Sequence, residues 1–288
     1  MRSRVWITGT GVAFWIAITA CVAGADVDLG TTGGITYVED TVAPEPPFLA
    51  ILEAACPAGT QVSGGGFDAD VTGFLNDLAP ADGPDADGDL DDAWFASIYY
   101  GPSGYDPTAH VYAICEDRGH AERTATAPVP AGEAETLSVD CPGPRRPTGG
   151  GVELSGTASE GYVNSSYPFD GPDGDRDPDD GWRGRAYNET GMTKTLSVTA
   201  VCRDGEFRNR FRTWDVPSDE FTYSPCVGAE HLVGAGWRLT GPASGATPQY
   251  AVPADGGDGN SAPDDGAEFF ANGAGAPDRL VPHAICAS

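Results

Sequence analysis

A chain of 288 residues with 43 acidic against 16 basic side chains carries a formal charge of −27, so it would repel a phosphate backbone or an anionic lipid surface. Nucleic acid is thereby excluded as a partner. Forty glycines and 24 prolines, set between alternating Val, Ile, Tyr and Phe runs in a chain that is 40% hydrophobic, describe a turn-rich β protein with enough apolar material for a core.

The chain opens on a targeting signal: Arg2 and Arg4 precede an apolar run, Val12 to Ala23, and no acidic residue stands before Asp26. Two processing routes fit. Ala23-Gly24-Ala25 is a signal-peptidase-type site that would make residues 1–25 a signal peptide. Ile18-Thr19-Ala20-Cys21 reads as a bacterial lipobox, with residues 1–20 removed and Cys21 lipidated, which also accounts for the odd cysteine among seven. Either route predicts an exported protein, whether secreted, periplasmic or an outer-surface lipoprotein, that meets a membrane only through a lipid anchor on Cys21. No later apolar run is long enough to span a bilayer as a helix. Residues 26–35 read as a flexible leader.

From Thr36 onward the chain repeats itself three times, and the expected units are 36–120, 121–206 and 207–288. Each begins with a lead-in strand, a proline turn and a strand running into a cysteine: Tyr37 to Pro47 with Phe48 to Cys56, Thr124 to Pro130 with Thr136 to Cys141, Thr213 to Pro217 with Phe221 to Cys226. The opening cysteines stand 85 residues apart. Eight residues past each comes a small-residue triplet, Gly64-Gly65-Gly66, Gly149-Gly150-Gly151 or Gly234-Ala235-Gly236. Glycine inside a strand marks a bulge or a close approach, here beneath Trp94 and Trp182. No lysine or helix follows to make it a phosphate loop.

A third strand then leads into an acidic loop: Thr72 to Leu78, Tyr162 to Tyr167, Gln249 to Val252. The loops run from Asp82, Asp170 and Asp255 to an Asp-Asp pair, and an aromatic strand follows each, Trp94 to Tyr100, Trp182 to Asn188, or Ala267 to Asn272. The last strand closes on Cys115, Cys202 or Cys286. In the middle copy Leu196, Val198, Ala200 and Cys202 fall on one buried face. This predicts an all-β fold of three repeats of about 85 residues, built as one pseudo-threefold body or as tandem sandwiches.

If the copies fold alike, the disulfides are Cys56 with Cys115, Cys141 with Cys202 and Cys226 with Cys286, each closing a loop worth roughly 4 kcal/mol of chain entropy. The alternative joins neighbours, Cys115 with Cys141 and Cys202 with Cys226, and leaves Cys56 to meet Cys286. No Cys-x-x-Cys or Cys/His cluster favours zinc.

The acidic loops are the one polar feature that recurs. Asp85, Asp87, Asp89 and Asp91 alternate, as do Asp173, Asp175, Asp177 and Asp179, and the third copy keeps Asp258, Asn260, Asp264 and Asp265. Alternate carboxylates on a turn can converge on a hard cation, so calcium is the cofactor to look for, although Leu90 and Pro178 stand where an EF-hand needs glycine. A solvated turn rich in Asp and Gly is the bland alternative. For catalysis, His110, His120, His231 and His283 occupy non-equivalent positions and no nucleophile motif occurs, so no enzyme is expected. Trp94, Trp182, Trp237, Tyr99, Tyr100, Tyr167 and Tyr187 read as core first and as sugar-stacking platforms second.

The pattern C-P-x-G, then G-G-G, then A-[IV]-C resembles repeats of secreted bacterial β proteins. More distantly, three β units opening on C-P-x-G are similar to the β-prism of the vitelline membrane outer layer protein I family, extracellular coat proteins with a threefold pseudo-axis. The resemblance implies an architecture and no functional residue. The expected function is a non-catalytic cell-surface or matrix protein that binds a glycan or a protein partner, with a structural envelope protein and an acid-pair glycoside hydrolase as alternatives.

Overall fold

The computed structural model describes residues 26–44, 49–70, 73–83, 89–101, 107–156, 158–171, 177–205, 207–211, 220–241, 247–256, 260–272 and 279–288, with 207–211 as backbone only. The signal segment and Cys21 lie outside them. All long elements are β-strands. Strand β1 (Val27–Thr32) precedes the first repeat, which contains β2 (Ile35–Val42), β3 (Leu49–Ala55), β4 (Gln61–Asp68), β5 (Gly73–Ala81), β6 (Ala93–Tyr100) and β7 (Ala109–Glu116). The second contains β8 (Ala121–Val129), β9 (Ala134–Asp140), β10 (Arg146–Leu154), β11 (Gly161–Phe169), β12 (Gly181–Asn188) and β13 (Lys194–Arg203). The third contains β14 (Phe207–Phe211), β15 (Thr222–Pro225), β16 (His231–Leu239), β17 (Thr247–Ala254), β18 (Gly266–Asn272) and β19 (Leu280–Ala287).

One expectation is corrected. Residues 26–35 are not a free leader, because β1 pairs antiparallel with β2, from Val27 opposite Glu39 to Thr32 opposite Ile35, across a turn at Gly33-Gly34 where both φ angles are positive. In the third copy the strand paired with the closing strand, as β2 and β8 are in the others, is Phe207–Phe211; the expected Thr213 to Pro217 lies outside the described residues. The position of β14 follows the pattern of the other copies, where the lead-in strand starts soon after the preceding closing cysteine.

The repeats interlock instead of folding as tandem units. Three antiparallel sheets run in the orders β1-β2-β7-β4-β17-β18-β15 (sheet A), β3-β6-β5-β10-β13-β8 (sheet B) and β14-β19-β16-β11-β12-β9 (sheet C). Each repeat gives its lead-in, glycine and closing strands to one sheet and its other three to the next, so every sheet is half one repeat and half another. The disulfides are Cys56–Cys115, Cys141–Cys202 and Cys226–Cys286. Each therefore ties the two halves of one repeat across two sheets. This explains why the opening cysteine follows a strand of one sheet and the closing cysteine ends a strand of the other.

The glycine triplets serve the centre. A β-bulge precedes the first glycine in every copy, with register shifts between Val62 and Gly64, Pro147 and Gly149, and Leu232 and Gly234. These first glycines meet one another in a ring. A Cβ on Gly64 would lie 2.8 Å from the Gly234 Cα, one on Gly149 would lie 2.7 Å from the Gly64 Cα, and one on Gly234 would collide with the Thr148 carbonyl. Backbones thus touch on a pseudo-threefold axis where no side chain fits. The Ser63 hydroxyl crosses this axis to donate to the Val233 carbonyl at 2.8 Å.

The second position lies under the aromatic strand, where a Cβ on Gly65 would come 2.5 Å from the Trp94 ring and one on Gly150 would collide with Trp182. The third copy trades volumes. It carries Ala235 in place of that glycine and Ala267 in place of the tryptophan, and its bulk moves two residues along the same strand face to Phe269, where the other copies have Ala96 and Gly184. Trp94, Trp182 and Phe269 are all fully buried, so the cores keep their packing while exchanging large and small residues between layers.

Candidate functional site

Where two repeats meet within a sheet, the backbone ladder is short: Tyr250 and Ala251 face Asp68 and Phe67 in sheet A, Asp77 and Leu78 face Glu153 and Val152 in sheet B, and Ser166 faces Trp237 in sheet C. Side chains complete these seams. The third strand of each copy carries a second bulge, and the bulged residue is a buried amide every time: Asn76, Asn164 and Gln249. Asn76 donates to the Leu154 carbonyl at 3.0 Å and Gln249 to the Gly73 carbonyl at 2.8 Å, while the Asn164 carbonyl accepts from the Trp237 indole at 3.0 Å. The Leu154 and Leu239 amides donate to Asp77 and Ser165. These bonds pair buried polar groups across the joins, while Asn76 Oδ1 and Gln249 Oε1 are buried with no partner among the described residues. The threefold recurrence of an amide at positions 76, 164 and 249 is a signal that the sequence carries.

The bases of the acidic loops are structural. The first Asp of each Asp-Asp pair meets the first residue of the glycine strand: Gln61 donates to Asp91, Arg146 pairs with Asp179 at 2.9 Å, and His231 Nδ1 meets Asp264 at 2.5 Å. The second Asp carries the carbonyl that accepts from the opening cysteine's amide, Asp92 from Cys56, Asp180 from Cys141 and Asp265 from Cys226. Asp180 and Asp265 also accept from the amides of Gly171 and Gly256, clasping the neck of the loop. Of the other cation candidates, Asp89 and Asp177 are exposed and Asn260 accepts from the Ala262 amide at 2.7 Å. Asp85, Asp87, Asp173, Asp175 and Asp258 lie outside the described residues. Among the described residues no three His, Cys, Asp or Glu side chains converge to hold a metal ion.

The aromatic candidates divide. Trp94, Trp182, Trp237 and Tyr100 are fully buried, which removes them as ligand platforms, and Tyr99, Tyr167 and Tyr187 are partly buried. An open aromatic surface lies at the seam of sheet A. Phe221, 66% exposed, stacks on Phe270 with centroids 4.7 Å apart and meets Tyr250 edge-on at 5.7 Å. These rings border a groove of about 270 Å³ whose other wall is Asp68, Asp70, Thr108 and His110. His110 is held by Glu39 at 2.5 Å. Asp70 is the only described non-glycine residue with positive φ, at 51°, and its amide donates to Asp68. Burial raises the Asp68 carboxyl above its usual range, against the lowering effect of that amide and of His110.

The equivalent groove of sheet C, also about 270 Å³, has the opposite charge. It is lined by Arg185, Arg238, Tyr167, Thr136 and Thr240 with Ser165 and Leu239. Arg238 lies 5.7 Å from the centre of the Tyr167 ring, whose other stacking partner is His283 at 5.8 Å. Burial first, and the Arg238 charge second, push the His283 imidazole down to about 3. A folded value below the unfolded one of about 6.5 means that stability is fully present above pH 6.5 and is lost as pH falls toward 3, at about 1.4 kcal/mol per pH unit. Asp26, Glu53, Asp68, Asp77, Glu122 and Glu153 are raised by burial and push the other way, toward greater stability in acid. The His283 contribution is therefore read as a difference: chemical melts of wild type and His283→Gln should converge by about 2 kcal/mol between pH 7 and pH 5. Parallel pH profiles would show that the ring titrates normally in the fold.

No protein-family model matches this chain, and no curated protein matches it in sequence.

Proposed function

We propose that the protein is a non-catalytic, exported cell-surface or extracellular-matrix component that holds a glycan along the seam groove of sheet A. The observation that carries this reading is the exposed stack of Phe221 on Phe270 beside Asp68 and Asp70. The apolar face of a sugar ring stacks on aromatic edges and faces while its hydroxyls bond to carboxylates, and the groove offers the two on facing walls. Three disulfides fit an oxidising, extracellular setting, and no described helix is long and apolar enough to cross a membrane. The leader and the likeness to an extracellular coat family support export in the same sense. A calcium contribution would have to come from the loop apices, because Asp91, Asp179 and Asp264 are engaged at the loop bases.

Retention on a panel of insoluble neutral glycans tests this. The wild type should bind at least one, and Phe221→Ala, an exposed change that leaves the fold intact, should weaken binding about tenfold, the equivalent of about 1.4 kcal/mol. Retention indifferent to Phe221→Ala would overturn the site. Absence of retention on every polymer would favour a structural envelope protein, and release of reducing ends that Asp68→Asn abolishes would favour an acid-pair hydrolase.

A further inference from the structure

The three seams occupy equivalent places in one architecture, yet the residue near the end of the glycine strand differs in each: Asp68 in sheet A, Glu153 in sheet B and Arg238 in sheet C. In a chain with 43 acidic and 16 basic residues, cations easily find carboxylates. Arg146 pairs with Asp179, Arg203 with Glu116, Arg145 with Asp204 and Lys194 with Glu160, while the exposed Arg123 donates to the Asp140 carbonyl. Arg183 is held by Ser138 and the Phe169 ring. Arg185 and Arg238 are different because they share a groove. Among the described residues neither has a carboxylate within ion-pair distance; Arg185 donates to the Gly241 carbonyl at 3.0 Å, and Arg238 rests near the Tyr167 ring. Neither of these partners is anionic, so among the described residues both guanidinium charges lack a carboxylate.

We infer that this groove is a second, anion-selective binding site that takes a carboxylate-bearing saccharide. Two guanidinium groups lining one groove, each with five N–H donors, suit the planar fork of a carboxylate. The remaining walls suit a sugar better than a peptide side chain, because Thr136, Thr240 and Tyr167 present hydroxyls and Leu239 is the only apolar side chain among the lining residues. Acidic surface elsewhere on the chain would repel such a ligand, which confines it to this groove. The site stands independently of the sheet A groove, whose Asp68 and Asp70 would turn a uronate away.

Titration calorimetry at low salt with a galacturonic acid trisaccharide and its carboxyl-reduced neutral counterpart tests the inference. The acidic trisaccharide should bind at least tenfold more tightly than the neutral one. Arg238→Gln and Arg185→Gln should each remove at least tenfold of that affinity, and Phe221→Ala should leave it unchanged. Arg185→Lys, which keeps the charge and loses the fork, should also weaken binding, and it serves where a glutamine variant fails to fold. Equal affinity for the two trisaccharides, or variants without effect, would overturn the site. Acetate or sulfate binding as tightly as the trisaccharide would overturn the saccharide assignment in favour of a plain anion site. Self-association abolished by Arg238→Gln, seen by sedimentation, would replace the sugar by an acidic loop of a second copy.

Discussion

Glu116→Gln is expected to destabilise the protein by about 3–5 kcal/mol, although the change removes only a charge. Glu116 ends β7 in sheet A and Arg203 ends β13 in sheet B; their atoms meet at 2.7 Å, and both side chains are less than 5% exposed. His120, wholly buried, adds its Nε2 at 3.2 Å from the other Glu116 oxygen. The cluster joins the first repeat to the second at a point the disulfides do not reach, since each disulfide acts within one repeat. Burial pulls the Arg203 guanidinium down and Glu116 pushes it back up. Neutralising the glutamate would therefore remove the largest charge that offsets burial of the guanidinium, which is the costly half of any buried pair. Replacing both partners by apolar residues, Glu116→Leu with Arg203→Met, should cost markedly less than either single change. Urea melts of the two single variants and the double variant measure this. If the double variant loses as much as the sum of the singles, the pair makes no specific coupling and the account fails.

Gly234→Val should be the more damaging of two chemically similar changes at the triplets, at about 4 kcal/mol or more, up to loss of the folded state. Overpacking a core costs about 1–3 kcal/mol where side chains can shift. At Gly234 the obstacles are the Thr148 carbonyl and the Gly149 backbone, which cannot shift without separating the repeats. Gly150→Ala, by contrast, meets the Trp182 ring together with the Thr199 carbonyl, and part of its cost should vanish in a Trp182→Ala background. The third copy shows the combination already made, with Ala235 and Ala267 at the corresponding positions. Thermal melting of the single and double variants checks both statements. A Gly234→Val protein that melts like the wild type would mean that the axis is looser than the ring of glycines implies.

Much of this architecture was legible because the chain states it three times. The cysteine spacing named the disulfide pairs, and the placement of the glycine triplets ahead of Trp94 and Trp182 named their neighbours. Strand β1 was missed because Val27 to Thr32 contains Gly30 and ends in Thr and Gly, a local composition that reads as a tether; its order comes from pairing with β2, a contact the local sequence does not encode. Strand β14, at Phe207 to Phe211, carries no proline to mark its end, so its pairing with β19 is likewise visible only in the fold.

The acidic loops drew attention for their charge, yet the carboxylates at their bases turned out to be committed to Gln61, Arg146 and His231, residues far away in sequence with nothing to mark them as partners. What the sequence by itself determined is therefore the content of a repeat: an all-β unit, its clamp and its glycine positions, all of which depend on residues within one copy. Which halves of different repeats share a sheet, and hence which residues line each seam, was decided only by the tertiary structure. Strand pairing between copies depends on backbone hydrogen bonds that any residue can make. The grooves exist because Asp68 meets Tyr250 and Arg238 meets Tyr167 across those joins.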